Sequence, residues 1–353
     1  MTARSRTVRQ RGTAGADDAT AAWPTIAVFV IVAFGLAWAV ELPLWITGSG
    51  LSSAFATVLV PAMMVTPLVA TLTVVLLQRQ QGTRAALRQL GVWPLHPLKR
   101  TIGFTVLAVL LVPVVVLAGI GLSAALGFVT LDVVHLSGFS AALEAATGGP
   151  LPVPVWTIAT LQLLSIPLGT AVNSVLAFGE EVGWRGWLLP ALLPLGTWPA
   201  LIITGVLWGA WHAPIILLGY NFDEPNLVGV GLMIIATTLI GVLVGWLRMR
   251  SASLWPAVFA HGALNAAGGL VTLFAAQEES VDPILAGPLG VGSWIAFTIV
   301  VVVLVLTRQL PHRRSKLGKG GSWSRSAPLA PDRRPAPPGR SPRSAHNRGP
   351  GGQ

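Results

Sequence analysis

Residues 168–193 read LGTAVNSVLAFGEEVGWRGWLLPALL, a nearly unbroken apolar run that carries three charges, Glu180, Glu181 and Arg185. At about 1.5 Å per residue, a helix of this length is long enough to cross the roughly 30 Å hydrocarbon core of a bilayer. Each charge near the centre of a membrane helix costs roughly 2.5 to 3.5 kcal/mol, so three unpaired charges cost on the order of 9 kcal/mol. Ionisable groups held at such depth pair with one another and mark function. The run is therefore read as a membrane helix with a submerged polar site.

The surrounding sequence has the same character. Hydrophobic residues make up 53% of the 353-residue chain and charged residues 10%, and the mean hydropathy is +0.70. Other apolar windows lie near 25–46, 54–78, 101–128, 199–218, 227–247, 254–275 and 287–307. The fold class expected is an all-α polytopic membrane helical bundle of about eight transmembrane helices. Basic residues alternate with these spans. Arg4, Arg6, Arg9 and Arg11, then Arg79, Arg84, Arg88, Lys99 and Arg100, then Arg248 and Arg250, fall on one side with the tail from Arg308. The opposite connections hold Asp132, Glu144, Asp223, Glu224, Glu278, Glu279 and Asp282 and no Lys or Arg. That asymmetry places both termini in the cytoplasm of a multi-pass protein of the cell membrane. It also explains the net charge of +10 without a nucleic-acid partner. The chain has no cysteine, which excludes disulfides and thiolate metal sites.

The organisation follows from composition. Residues 1–24 are a disordered basic segment, 25–150 a membrane region with three helices, and 151–275 a second membrane region containing the charged run. Residues 276–310 hold the last span, and 311–353 form a disordered basic tail rich in Pro, Gly, Ser and Arg. The fourth span is expected over about 168–193, with 151–167 as its approach or an overlong tilt. The 79–100 loop is expected to lie on the membrane surface as a basic helix. Trp23, Trp45, Trp198 and Trp255 lie near predicted span ends and fit as interfacial anchors.

Helical spacing assigns the polar residues to faces. Glu181 and Arg185 are four apart in the acid-before-base order that favours an ion pair. Glu180, about 100° round the helix, points elsewhere as a free carboxylate. His261 and Asn265 share one face of a later helix, and Trp208 and His212 share a face of another. A carboxylate and an imidazole can polarise a water, while a second imidazole and an amide can donate to a developing oxyanion; these are the parts of an amide hydrolase. Glu180, His212 and His261 are equally a candidate ligand set for a zinc-like divalent ion with water in the open position. Both arrangements stay open on spacing alone. HExxH, GxSxG, GxGxxG and P-loop signals are absent.

Glu180-Glu181-Val182-Gly183-Trp184-Arg185 matches an EExxxR motif, and His261-Gly262-Ala263-Leu264-Asn265 matches HxxxN. Together they resemble the CAAX protease and bacteriocin-processing enzyme (CPBP) family of intramembrane proteases. The family's middle motif is FxxxH, where Trp208-Gly209-Ala210-Trp211-His212 has Trp in place of Phe. The resemblance covers roughly residues 155–270. It implies a glutamate-dependent endopeptidase in which Glu180 and His212 activate water and His261 with Asn265 stabilise the oxyanion. Glu181 and Arg185 would support that site. Members are often classed as metalloproteases, and a metal-free glutamate and histidine mechanism is also argued for the family, so no cofactor is assigned. The partners implied are the lipid bilayer and a membrane-associated protein or peptide substrate.

Two other classes accommodate the same residues. A proton-coupled transporter also sets carboxylate and histidine at mid-membrane, although its pointer, paired broken helices in two repeats, is missing here. A non-catalytic scaffold or immunity protein would keep the residues for packing. Glu41, near the outer end of the first span, reads as an interfacial or partner-bonded carboxylate. Gly241 and Gly245 form a GxxxG pattern suited to helix packing.

Overall fold

Long apolar runs satisfy their backbone polar groups only as helices in a bilayer, and the computed structural model is helical throughout. It describes residues 22–78, 82–277 and 280–310, which fall within one compact unit. Arg79, Glu278, Glu279, the basic N-terminal segment up to residue 21 and the tail from 311 lie outside the described residues. The helices are α1 (Trp23–Ile46), α2 (Ala56–Met63), α3 (Thr66–Leu77), α4 (Gly82–Leu90), α5 (Leu98–Ala125), α6 (Ser137–Thr147) and α7 (Val155–Glu181). They continue as α8 (Leu189–Leu192), α9 (Thr197–Trp211), α10 (Ala213–Ile216), α11 (Leu227–Ser251), α12 (Trp255–Ala267), α13 (Leu270–Phe274) and α14 (Val291–Leu306). Among the described residues the only extended pairing is an isolated antiparallel bridge between Leu131 and Ala275.

Six helical stretches are long and apolar enough to cross a membrane: Trp23–Ile46, Ala56–Leu77, Leu98–Ala125, Val155–Leu195, Leu227–Ser251 and Trp255–Phe274. The remaining two expected spans are shorter, α9 having 15 residues and α14 having 16. The chain breaks after α9 because Pro214 cannot donate into its last turn; the short α10 then extends the helical path beyond His212. The helix of the expected fourth span, α7, begins at Val155, well before Leu168. Pro167 lies inside it, on an exposed face where one missing backbone donor is tolerated. The helical run ends at Gly196, whose φ of 110° suits glycine.

Leu161, Leu164, Leu168, Val172 and Val175 form an exposed apolar stripe along α7, as expected of a face turned to lipid. The opposite faces pack through small residues. α7 lies against α12, α9 against α11, and α5 against both α12 and α14. Gly205 and Gly209 of α9 face Thr238, Ile234 and Thr237 of α11, while Gly241 of α11 faces Gly205 and Gly245 faces Leu201. The GxxxG pattern thus packs α11 onto α9, letting two backbones approach closely. The Trp45 indole donates to Pro214 O at 3.0 Å and the Trp255 indole to Val92 O at 3.1 Å, tying helix ends together. Glu41 is fully buried, and neither of its carboxylate oxygens has a hydrogen-bond partner among the described residues. Among the described residues it is therefore not partner-bonded, and α1 turns it into the bundle.

Candidate active site

Three elements bring the polar groups together. The last turn of α7 carries Glu180 and Glu181, and the chain then widens into a π-type segment over Val182–Leu188 that carries Trp184 and Arg185. Such i→i+5 turns are rare and occur often at functional sites. Gly183 gives this segment its close approach to α3: a Cβ there would lie 2.5 Å from Pro67 Cβ and 3.0 Å from Pro67 O. The end of α9 contributes Trp208 and His212, and α12 contributes His261.

One network centres on Glu181. Arg185 Nη1 donates to Glu181 Oε1 at 2.9 Å, and His261 Nδ1 donates to the same oxygen at 3.0 Å. Glu181 and Arg185 are 0% and 1% exposed, so their charges are compensated by one another rather than by water. His261 therefore joins the Glu181–Arg185 pair across eighty residues of sequence. With Nδ1 donating to a carboxylate, its Nε2 is the nitrogen left to the site.

A second network centres on Glu180, which is 2% exposed. The Trp208 indole N–H donates to Glu180 Oε2 at 2.6 Å, and Trp184 Nε1 lies 3.4 Å from the same oxygen as a weaker second donor. Glu180 is thus not a free carboxylate; two indoles hold one of its oxygens. His212 Nδ1 lies 2.8 Å from Trp208 O. A carbonyl can only accept, so Nδ1 carries the proton and Nε2 of a neutral His212 presents a lone pair. The imidazoles of His212 and His261 lie within electrostatic reach of one another, as do His261 and Glu180. The Trp208 ring centroid lies 5.3 Å from that of His261, in an edge arrangement, and 6.2 Å from that of His212.

Asn265 sits one turn beyond His261 and is exposed. It lines a cavity of about 290 Å³ between α7 and the α12–α13 segment, with Gln162, Ser165 and Asn173. No hydrogen bond joins it to Glu180, His212 or His261 among the described residues. Among the described residues no group of three or more His, Asp or Glu side chains, the candidate set Glu180, His212 and His261 included, is placed to hold a metal ion. Glu180 Oε2 faces indole N–H donors, which suit a carboxylate and not a cation.

The sequence reading missed Trp184 and Trp208 as donors to Glu180 and His261 as a partner of Glu181. The signal for Trp184 was present, since it follows Glu180 by four residues. The other two contacts join separate helices, and no local spacing encodes them.

Residues 161–267 match the protein-family model Rce1-like, described as Type II CAAX prenyl endopeptidase Rce1-like. All three motifs lie within that segment, and the resemblance to the CAAX protease family is thereby shown over it. A membrane protease whose substrate is associated with the bilayer is the reading that this match supports. No curated protein matches the chain.

Proposed function

We propose that this chain with a CAAX-protease segment is a glutamate-dependent intramembrane endopeptidase of the cell membrane, cleaving membrane-associated proteins or peptides. The observation that carries it is the buried Glu180 carboxylate, held by Trp208, whose carbonyl in turn receives His212 Nδ1, together with His261, whose Nδ1 is committed to Glu181. Each histidine then has only Nε2 to offer a substrate or a water.

In this reaction Glu180, with His212 Nε2 orienting the water, takes a proton as the water oxygen adds to the scissile carbonyl carbon. The resulting oxyanion accepts from Nε2–H of His261 in its imidazolium form, whose Nδ1–H stays on Glu181, and from the Asn265 amide. Collapse re-forms the carbonyl and breaks the C–N bond, and Glu180 returns the proton to the departing amine. Glu181, itself held by Arg185, accepts the Nδ1–H of that imidazolium and fixes the orientation that this requires. Asn265 approaches from the polar cavity, which suits an extended substrate lying between α7 and α12. The bundle that carries the site crosses the membrane eight times, with both ends cytoplasmic.

The test is mass spectrometry of new peptide termini in native membranes incubated with the purified parent or with folded Glu180→Gln, each with and without chelator. Termini produced by the parent alone are expected. Equal cleavage by both proteins would overturn the assignment of Glu180, and a chelator-sensitive parent would overturn the metal-free form of the mechanism.

A further inference from the structure

Four polar groups of the site, Glu180, Arg185, His212 and His261, touch one residue whose role is not accounted for by water activation or oxyanion binding. Trp208 is 2% exposed and makes four distinct contacts. Its indole N–H donates to Glu180 Oε2 at 2.6 Å, the shortest of the hydrogen bonds described for the site. The Arg185 guanidinium carbon lies 4.2 Å from the centroid of its ring. Its edge meets His261 at 5.3 Å, and its backbone carbonyl receives His212 Nδ1 at 2.8 Å.

The chemistry of these contacts separates two carboxylates that lie side by side in sequence. In a medium of low dielectric, a buried guanidinium is attracted to every carboxylate within reach. Arg185 nevertheless bonds only Glu181, and its Nε and Nη2 have no hydrogen-bond acceptor among the described residues. The aromatic face of Trp208 gives that part of the cation its partner. The same ring turns its one donor edge to Glu180 Oε2. A side chain with a cation on its face and a donor at its edge thus keeps Arg185 on Glu181 and leaves Glu180 without a hydrogen-bonded counter-ion among the described residues.

We infer that Trp208 is the positioning residue of this site, clamping Glu180 Oε2 through its indole N–H so that Oε1 is the oxygen that works on the water. Phenylalanine, the residue of the resembled motif at this position, offers the ring without the N–H and cannot make this clamp. The inference rests on the endopeptidase reading for its consequence in turnover, but the hydrogen bond itself is independent of that reading.

Trp208→Phe keeps the ring over Arg185 and the backbone carbonyl to His212 and removes the donor alone. Misplacing a catalytic group by about 1 Å costs on the order of 100-fold, and a hydrogen bond to a charged group corresponds to roughly 10- to 100-fold. The expected result with a cleaved peptide is a fall in kcat of about 10- to 100-fold with KM changed less than about threefold. In ¹⁵N-tryptophan-labelled protein, one indole N–H resonance should vanish in Trp208→Phe and the same resonance should move in Glu180→Ala. An unchanged kcat in folded Trp208→Phe, a change confined to KM, or an indole resonance of Trp208 indifferent to Glu180→Ala would each overturn the inference. If the parent cleaves nothing, the endopeptidase reading fails, and the resonance arm still decides whether the clamp exists. Should Trp208→Phe not fold, Glu180→Ala is compared with its parent in a Trp184→Phe background, which lacks the other indole donor, and the absence of any moved indole resonance there would overturn the inference.

Discussion

Glu181 Oε1 receives two donors, and the two are not equivalent. Arg185 carries a permanent charge and reaches Glu181 from the same helical run, whereas His261 reaches it from α12. Removing Arg185 strands a fully buried carboxylate, the situation in which broken buried pairs cost about 3 to 5 kcal/mol. Arg185→Ala is therefore expected to lower the thermal unfolding temperature in detergent sharply, and Arg185→Lys to recover only part of the loss. A lysine cannot lie flat on the Trp208 ring while bonding a carboxylate. An unfolding temperature of Arg185→Ala equal to the parent's would contradict this account. Spacing made the Glu181–Arg185 pair legible at this scale, because residues four apart on a helix are neighbours whatever surrounds them. The partners of Glu180 were not legible, since Trp208 arrives from a different helix.

Between elements, the site depends on how closely α7, α9, α11 and α12 approach. Gly262 follows His261, and a Cβ there would press on Ser174 Oγ, lie 2.7 Å from Thr170 O and 2.9 Å from Ser174 N. Two of these three atoms belong to backbone that cannot step aside. Gly262→Ala should thus separate α12 from α7 and cost about 1 to 3 kcal/mol, carrying His261 away from Glu181. At Gly231 of α11 an added methyl would meet nothing within 4 Å, so Gly231→Ala serves as the comparison and should be neutral or stabilise by up to about 1 kcal/mol. Thermal unfolding of the two variants side by side checks the contrast. Periodicity foretold helices at these positions, and the pattern of glycines foretold close contacts. Which helix would meet which glycine was not written in either.

Across the whole molecule, the segment after α5 is stitched to the segment after α13, far away in sequence. Asp132 N donates to Phe274 O at 2.9 Å and Ala276 N to Thr130 O at 3.0 Å. The Asp132 carboxylate accepts from His135 N at 2.9 Å and from Val134 N and Ser137 N at 3.3 Å each. The His135 backbone N–H, followed by the Ser137 side chain, holds the Asp132 carboxyl at about 2, below its ordinary 3.8. A carboxylate with a depressed value in the folded state stabilises the fold above its unfolded value and ceases to do so on acidification. Amide protection at His135 is expected to be full above pH 3.8 and to fall as pH drops through about 2. Asp132→Asn should remove that dependence, as hydrogen exchange would show. The eight-crossing arrangement proposed above is equally open to measurement, because the chain contains no cysteine of its own. A single cysteine at Thr147 should react with an impermeant thiol reagent added outside intact cells, and one at Arg84 only after permeabilisation. Labelling of both from one side would overturn the topology.

Hydrophobicity and the 3.6-residue period act locally and need no neighbour. The order of residues was therefore enough to establish a helical membrane protein, the positions of its apolar runs, and which polar residues share a helical face. It also carried the three motifs that fall within the family match at residues 161–267. Only the folded bundle brings Trp208 to Glu180, completes the Glu181–Arg185 pair with His261, and turns Asn265 to a cavity beside the site. Those outcomes depend on where α7, α9 and α12 cross. The crossing is set by small residues packed between helices and by the wide turn at Val182–Leu188, so the meeting of faces is a property of the assembled bundle.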